Sequence, residues 1–168
     1  MEAGELLRVA REIVAKVPMC VAITVDRMGK AHARTVETSE LSDEWTLRFM
    51  TDRRTRKVED IEQTGQLVLS FQHAPDNAYV TLTGRATLIR DSAVKQAIWR
   101  PQSLKWHPGG PTDPNVVLVE FFTERVEMWS SRHGVTPDPK KGLWAAALTR
   151  SGSGWDYDVT SRRSPPAC

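Results

Sequence analysis

The sequence predicts a mainly β fold of the α+β class: a small antiparallel barrel or sandwich, preceded by one helix and flanked by short peripheral helices. Three observations carry this expectation. A sustained helical spacing of apolar residues occurs at the N-terminus. From Met19 onward, short segments with period-two alternation follow one another closely. Between them lie only minor helical patterns, too short for the crossovers of a parallel βαβ sheet.

The first helix follows from Leu6, Val9, Ala10, Ile13, Val14 and Val17, spaced three and four apart, with Pro18 ending it. "MCVAITV" (19–25), a "DRMGK" turn and "AHARTVET" (31–38) read as a hairpin with a bulge or loop at Gly29. In "WTLRFM" (45–50), Trp45, Leu47 and Phe49 share one face of a strand. "RKVEDIEQT" (56–64) fits a short helix stopped by Gly65, and "QLVLSFQ" (66–72) returns to strand. "YVTLTGRATLI" (79–89) alternates along its length, with Gly84 marking a bulge or bend. Asp91 is placed to cap a helix over 92–99, after which "RPQSLKWHPGGPTDPN" reads as a shaped loop. Loops of that length are usually functional or interfacial. "VVLVEFFTERVEMWS" supplies one or two last strands, and "GLWAAALTR" (142–150) is compatible with a short helix. Residues 1–150 are expected to form a single domain, and 151–168 have the linker-like composition of a disordered tail.

A chain of 168 residues with 40% hydrophobic content suits one core. Lys and Arg total 23 against 21 for Asp and Glu, a formal charge of +2, which argues against a polyanion-binding surface and hence against nucleic acid as partner. The absence of a long apolar run excludes a spanning helix, and the start has neither the basic region nor the cleavage site of a signal peptide, so a cytoplasmic protein is expected. Cys20 and Cys168 form no disulfide framework. His32, His73, His107 and His133 are not at ligand spacing, so no metal site is expected. Ser130 and Ser131 lie near His133 but lack the glycine-flanked turn of a hydrolase nucleophile.

Charge is nevertheless concentrated at one place. "TDRRTRK" (51–57) holds four cationic side chains between a strand end and a helix start. Such a run can be a solvated loop, a nucleic-acid contact or a phosphate site for one small ligand. The third reading uses free amides at a helix start together with one Arg and one Lys, a pairing suited to a phosphomonoester dianion.

The order "RTVET", a strand ending in "FMT", then "TDRRTRK" resembles the flavin-mononucleotide (FMN) split-barrel family that includes pyridoxamine 5′-phosphate oxidase. In that family an Arg-x-Val strand is followed by a strand ending in Thr, and Ser-Arg-Lys opens a helix four residues later. Thr51, Thr55, Arg56 and Lys57 match, with Thr55 in place of Ser. "IWRP" (98–101), "WHPGG" (106–110), the Asp113–Pro114 pair and "VEMW" ending at Trp129 are similar to the general stress protein branch.

The resemblance implies a six-stranded antiparallel split β-barrel and a homodimer with FMN at the subunit interface. It further implies that Arg56 and Lys57 bind the flavin phosphate with help from Arg34. Arg34, Thr35, Val36, Met50 and Thr51 would lie along the isoalloxazine and ribityl chain. Trp129 would approach the flavin across the interface, and Trp106 is a further candidate by analogy. Arg53 and Arg54 match no family ligand and read as solvated.

Two departures limit the resemblance. Tyr79 replaces a family glutamine, and after Trp129 the chain reads "SSRHGVTPDP" in place of the substrate-binding signature, which argues against pyridoxal phosphate synthesis. The expected activity is hydride or electron transfer to a small molecule, with no protein acid or base identified. The alternatives are a flavin carrier or sensor without turnover, and a split barrel holding a deazaflavin or haem.

Overall fold

The computed structural model describes residues 1–137, 140 and 144–158. Helix α1 (Ala3–Ala15) buries Leu6, Val9, Ala10, Ile13 and Val14, most of the apolar stripe read from the sequence. Strands β1 (Met19–Val25) and β2 (Ala31–Glu37) form the expected hairpin, with Gly29 in the left-handed region at φ 79°. Then come β3 (Thr46–Asp52), α2 (Arg56–Thr64), β4 (Gln66–His73), β5 (Ala78–Ile89) and α3 (Ser92–Ala97). A 3₁₀ turn (Pro101–Lys105), β6 (Val116–Ser130), β7 (Ala146–Ser151) and β8 (Gly154–Tyr157) complete the order. The caps behave as their residues dictate. Gly65 ends α2 at φ 66°, and the Asp91 carboxylate accepts from the Ala93 and Val94 amides.

All strand pairings are antiparallel, in the order β2-β1-β4-β5-β6-β7-β8, with β3 also on β6. The sheet does not close, and the fold is a split barrel. Its organising strand is β6. One edge of it pairs with β5, while the other is divided between β3, opposite Val116–Phe122, and β7, opposite Arg125–Met128. At that division the β5–β6 register slips: Thr83 faces Arg125, Gly84 faces Thr123, and Glu124 is left over. A Cβ at position 84 would lie 1.9 Å from the Phe122 carbonyl oxygen, so only glycine permits this bulge. The core beneath includes Leu47, Leu67, Leu69, Phe71, Leu82, Leu118, Phe121 and Met128, all fully buried.

The structure corrects the C-terminal third. The described part of 142–150 is not helix but strand β7, because β6 beyond Phe122 offers an unpaired edge on which Ala147 and Leu148 are buried. Pairing and burial outweigh the helix propensity of its alanines. Residues 151–157 are not part of a tail, since Ser151 ends β7 and Gly154–Tyr157 form β8 against it. Residues 159–168 of that expected tail lie outside the described residues. The described sheet therefore has eight strands, not six.

Trp45 also differs from its expected place at the head of a strand. It precedes β3 at φ 63° and packs against Trp155 of β8, ring centroids 5.3 Å apart. Arg11 of α1 stacks on Trp45 and donates to the carbonyls of Ser42 and Asp43 (2.9 and 2.7 Å). Arg150 stacks on Trp155 and donates to the Glu44 carbonyl. The segment between β2 and β3 is thus pinned from both sides. Among the described residues no helix is long and apolar enough to cross a membrane.

Candidate functional site

A cleft of about 1450 Å³ opens between the end of β2, the segment after it, β3, the start of α2, the 97–107 segment and β6. At one end the chain turns from β3 into α2. Thr55 occupies the N-cap position of α2, but its hydroxyl donates back to the Asp52 carbonyl (2.8 Å), so no side chain caps the helix. Lys57, in the first turn, is half-buried and donates from Nζ to Thr51 Oγ1 at 2.7 Å. Burial pushes its ammonium below the usual range, the Arg34 charge adds to the effect, and Asp52 opposes it.

Arg34 reaches the same region from β2. Its guanidinium donates to Thr24 Oγ1 (2.6 Å) and to the His32 carbonyl (2.7 Å). Burial lowers its pKa, Asp60 works against that, and Arg56 works with it. Arg34 therefore interacts unfavourably with both Arg56 and Lys57, while the carboxylates nearby are largely committed. Asp52 binds Arg54, whose hydrogen bonds hold its pKa at about 2. Asp60 Oδ2 is 3.9 Å from Arg34 and takes hydrogen bonds from other groups. An excess of positive charge at a helix start, beside a cleft, is chemically a site for an anion with several acceptor oxygens.

Of the residues singled out in the sequence, Thr35, Val36, Met50, Thr51, Lys57 and Trp106 line this cleft. Arg34 and Arg56 stand beside its cationic end without being part of the lining. Trp129 is elsewhere. It lies opposite Tyr79 on the β5–β6 ladder and lines a smaller cavity of about 450 Å³ with Tyr79, Thr136, Pro137 and Ala145. Arg53 and Arg54 are exposed, and Arg54 is paired with Asp52, as the solvated reading holds.

Several residues were not legible as site residues. His107 lines the cleft; burial lowers its pKa, against the pull of Asp52 and Asp113. Arg48 donates from Nε to Glu120 Oε2 at 2.6 Å across the cleft wall. The loop that carries Trp106 and His107 is held in shape by Lys95, only 2% exposed, which donates to the carbonyls of Asp113 and Val116 (3.1 and 2.8 Å). Asp113 closes over Gly109, where a Cβ would meet its Oδ2 at 2.4 Å. The neighbouring residue Trp106 was the available signal for His107. For Lys95 there was none, because a lysine between Val94 and Gln96 in a short helix reads as solvated.

Ser130 Oγ lies 2.8 Å from His133 Nδ1, and His133 Nε2 lies 3.3 Å from Glu12 Oε1. The connectivity is that of a catalytic triad, but Ser130 is completely buried, so no substrate reaches it. The set ties α1 to the end of β6.

Comparison with known proteins adds the following. A family model described as "Pyridoxamine 5'-phosphate oxidase like" matches residues 6–148. General stress protein 26 of Bacillus subtilis (strain 168) is 26% identical over 106 residues, 61% of this chain and 74% of that protein. Among solved structures, the General Stress Protein 26 from Bacillus anthracis str. Sterne superposes with a TM-score of 0.63 at 26% identity, covering 74% of this chain and 93% of the other. A pyridoxamine 5′-phosphate oxidase-related, FMN binding protein from Nostoc punctiforme PCC 73102 superposes with a TM-score of 0.66 over 93% of this chain and 94% of its own, at 16% identity. At that identity the likeness bears on the fold alone.

Proposed function

The chain belongs to the pyridoxamine 5′-phosphate oxidase-like family, and on that footing we propose that it binds FMN in the large cleft and exchanges hydride or electrons with a small molecule. The observation that carries this reading is Lys57 in the cleft wall with Arg34 beside it, the Arg34 charge interacting unfavourably with both Lys57 and Arg56. A phosphate dianion relieves that repulsion and accepts bidentate bonds from Arg and a point contact from Lys. The Nostoc punctiforme protein of the same fold, described as FMN binding, agrees with this choice of anion.

The remaining lining fits the rest of such a ligand. Val36 and Met50 offer apolar surface to a ring, and Thr35 and Thr51 offer hydroxyls to a polyol chain. A cleft of about 1450 Å³ exceeds the roughly 300–1000 Å³ common for single ligands, leaving room for a second molecule beside the flavin. When bound, the flavin supplies the redox chemistry. The chain's own contribution is to hold the phosphate, orient the ring and exclude water from one face. Trp129, outside the cleft of its own chain, contributes if a second copy packs on the outer sheet face, where Met19 and Val21 are 57% and 39% exposed. The reading therefore includes a homodimer.

A carrier or sensor without turnover is favoured by one observation: His107 is the one side chain among the described cleft-lining residues whose ordinary ionisation lies near neutral pH. Stopped-flow reduction of the flavin-loaded protein by NADH or NADPH, followed by a screen of acceptors, separates the two. Turnover well above that of free FMN supports the enzyme, and turnover equal to free FMN removes it.

A further inference from the structure

The residues behind the cationic end form a chain of hydrogen bonds. Asp60 projects from α2 towards the β1–β2 hairpin and is 2% exposed, in a place where an unpaired carboxylate would be strongly disfavoured. Its Oδ2 lies 2.5 Å from Thr24 Oγ1 on β1 and 3.1 Å from His32 Nδ1 on β2. Thr24 is wholly buried, and its hydroxyl is also 2.6 Å from an Arg34 guanidinium nitrogen. A guanidinium only donates, so Thr24 Oγ1 accepts from Arg34 and must give its own proton to Asp60. The same Arg34 nitrogen donates to the His32 carbonyl at 2.7 Å. The other terminal nitrogen is 3.9 Å from Asp60, beyond hydrogen-bond range. One arm of the guanidinium is therefore anchored, and the other is not engaged by Asp60.

We infer that Asp60 is a positioning residue for the anion end of the cleft: through Thr24 it fixes the Arg34 guanidinium, and so sets how strongly the protein prefers a phosphorylated ligand over its unphosphorylated counterpart. The inference rests on the phosphate reading given above. Asp60 itself does not touch the ligand. It holds a negative charge behind a group of cations that would otherwise push Arg34 outward, since Arg56 and Lys57 both interact with Arg34. Burial alone would raise the Asp60 pKa, but the hydrogen bonds from Thr24 and His32 and the charges of His32 and Arg34 outweigh it, so the carboxylate stays ionised.

A purely structural Asp60, tying α2 to the hairpin, would affect every ligand of the cleft alike. The experiment therefore reads a ratio. Apo-protein, wild type and Asp60→Asn, is titrated with FMN and with riboflavin, and the two dissociation constants are compared. Asp60→Asn is expected to lower the preference for FMN about tenfold, the scale of one misplaced charged donor, with riboflavin affinity unchanged. In an Arg34→Ala background the same substitution is expected to do nothing further. Thr24→Val, which keeps the shape and removes the relay, is expected to reproduce the effect and decides the matter if Asp60→Asn does not fold. An unchanged ratio in a folded variant, or equal losses for both ligands, overturns the positioning role. A wild-type protein that binds riboflavin as tightly as FMN overturns the phosphate reading itself, and the inference with it.

Discussion

Replacing Lys57 by Met separates a ligand-binding residue from a structural one. The substitution keeps most of the aliphatic stem and removes the ammonium, which lies 2.7 Å from Thr51 Oγ1 and is disfavoured by burial and by Arg34. The folded pKa of Lys57 lies below its ordinary 10.5. The charged form is thus less favourable in the fold than in the unfolded chain, and at neutral pH the charge destabilises the unliganded protein. Against this stands the loss of one hydrogen bond, about 1 kcal/mol. The apo-protein should therefore melt within a few degrees of wild type, or slightly above it. With ligand the sign reverses. A charge-assisted contact to phosphate contributes about 1.5–3 kcal/mol, so FMN affinity should fall roughly ten- to a hundredfold. Riboflavin, lacking the phosphate, should bind as before. Fluorescence titration with both ligands and a thermal melt of the apo-protein measure all three quantities. An unchanged FMN affinity, or a weakened affinity that merely follows a collapse in melting temperature, would refute the reasoning.

Three further outcomes are expected. Gly84→Ala places a Cβ 1.9 Å from the Phe122 carbonyl oxygen at the β5–β6 bulge, so it should abolish soluble expression or lower the unfolding free energy measured by urea titration by several kcal/mol; a variant as stable as wild type would show that the bulge relaxes easily. FMN affinity should decline in alkaline solution before pH 10.5 as Lys57 loses its proton, whereas Lys57→Arg should hold its affinity over the same range; parallel titration with riboflavin corrects for ionisation of the ring, and identical declines in both proteins would remove Lys57 from the phosphate site. Light scattering of the flavin-loaded protein should give twice the chain mass, and a monomer retaining its flavin would refute the shared-cleft geometry.

Much of the cationic end was legible because it is local. Thr51, Thr55, Arg56 and Lys57 lie within one strand end and one helix start, so their spacing nearly determines their relation in space. α2 and its Gly65 stop follow from equally local rules. The Asp60–Thr24–Arg34 relay was not legible, since it joins a helix to both strands of a distant hairpin and its members read separately as ordinary strand and helix residues. The strand β7 was hidden for a different reason. Its alanines favour a helix, and only the edge of β6 left unpaired beyond Phe122 makes an extended chain preferable. Trp155, in a segment of linker composition, is placed by a partner more than a hundred residues away, Trp45.

The central claim, a cleft built for a phosphorylated flavin, is tested most directly by the chromophore of the purified protein. Loaded with FMN, passed through a desalting column and then denatured, the protein should show flavin absorption at about 450 nm and release FMN in a one-to-one ratio with the chain. A protein that leaves the column colourless, or that binds a haem or a deazaflavin in preference to FMN, would contradict it.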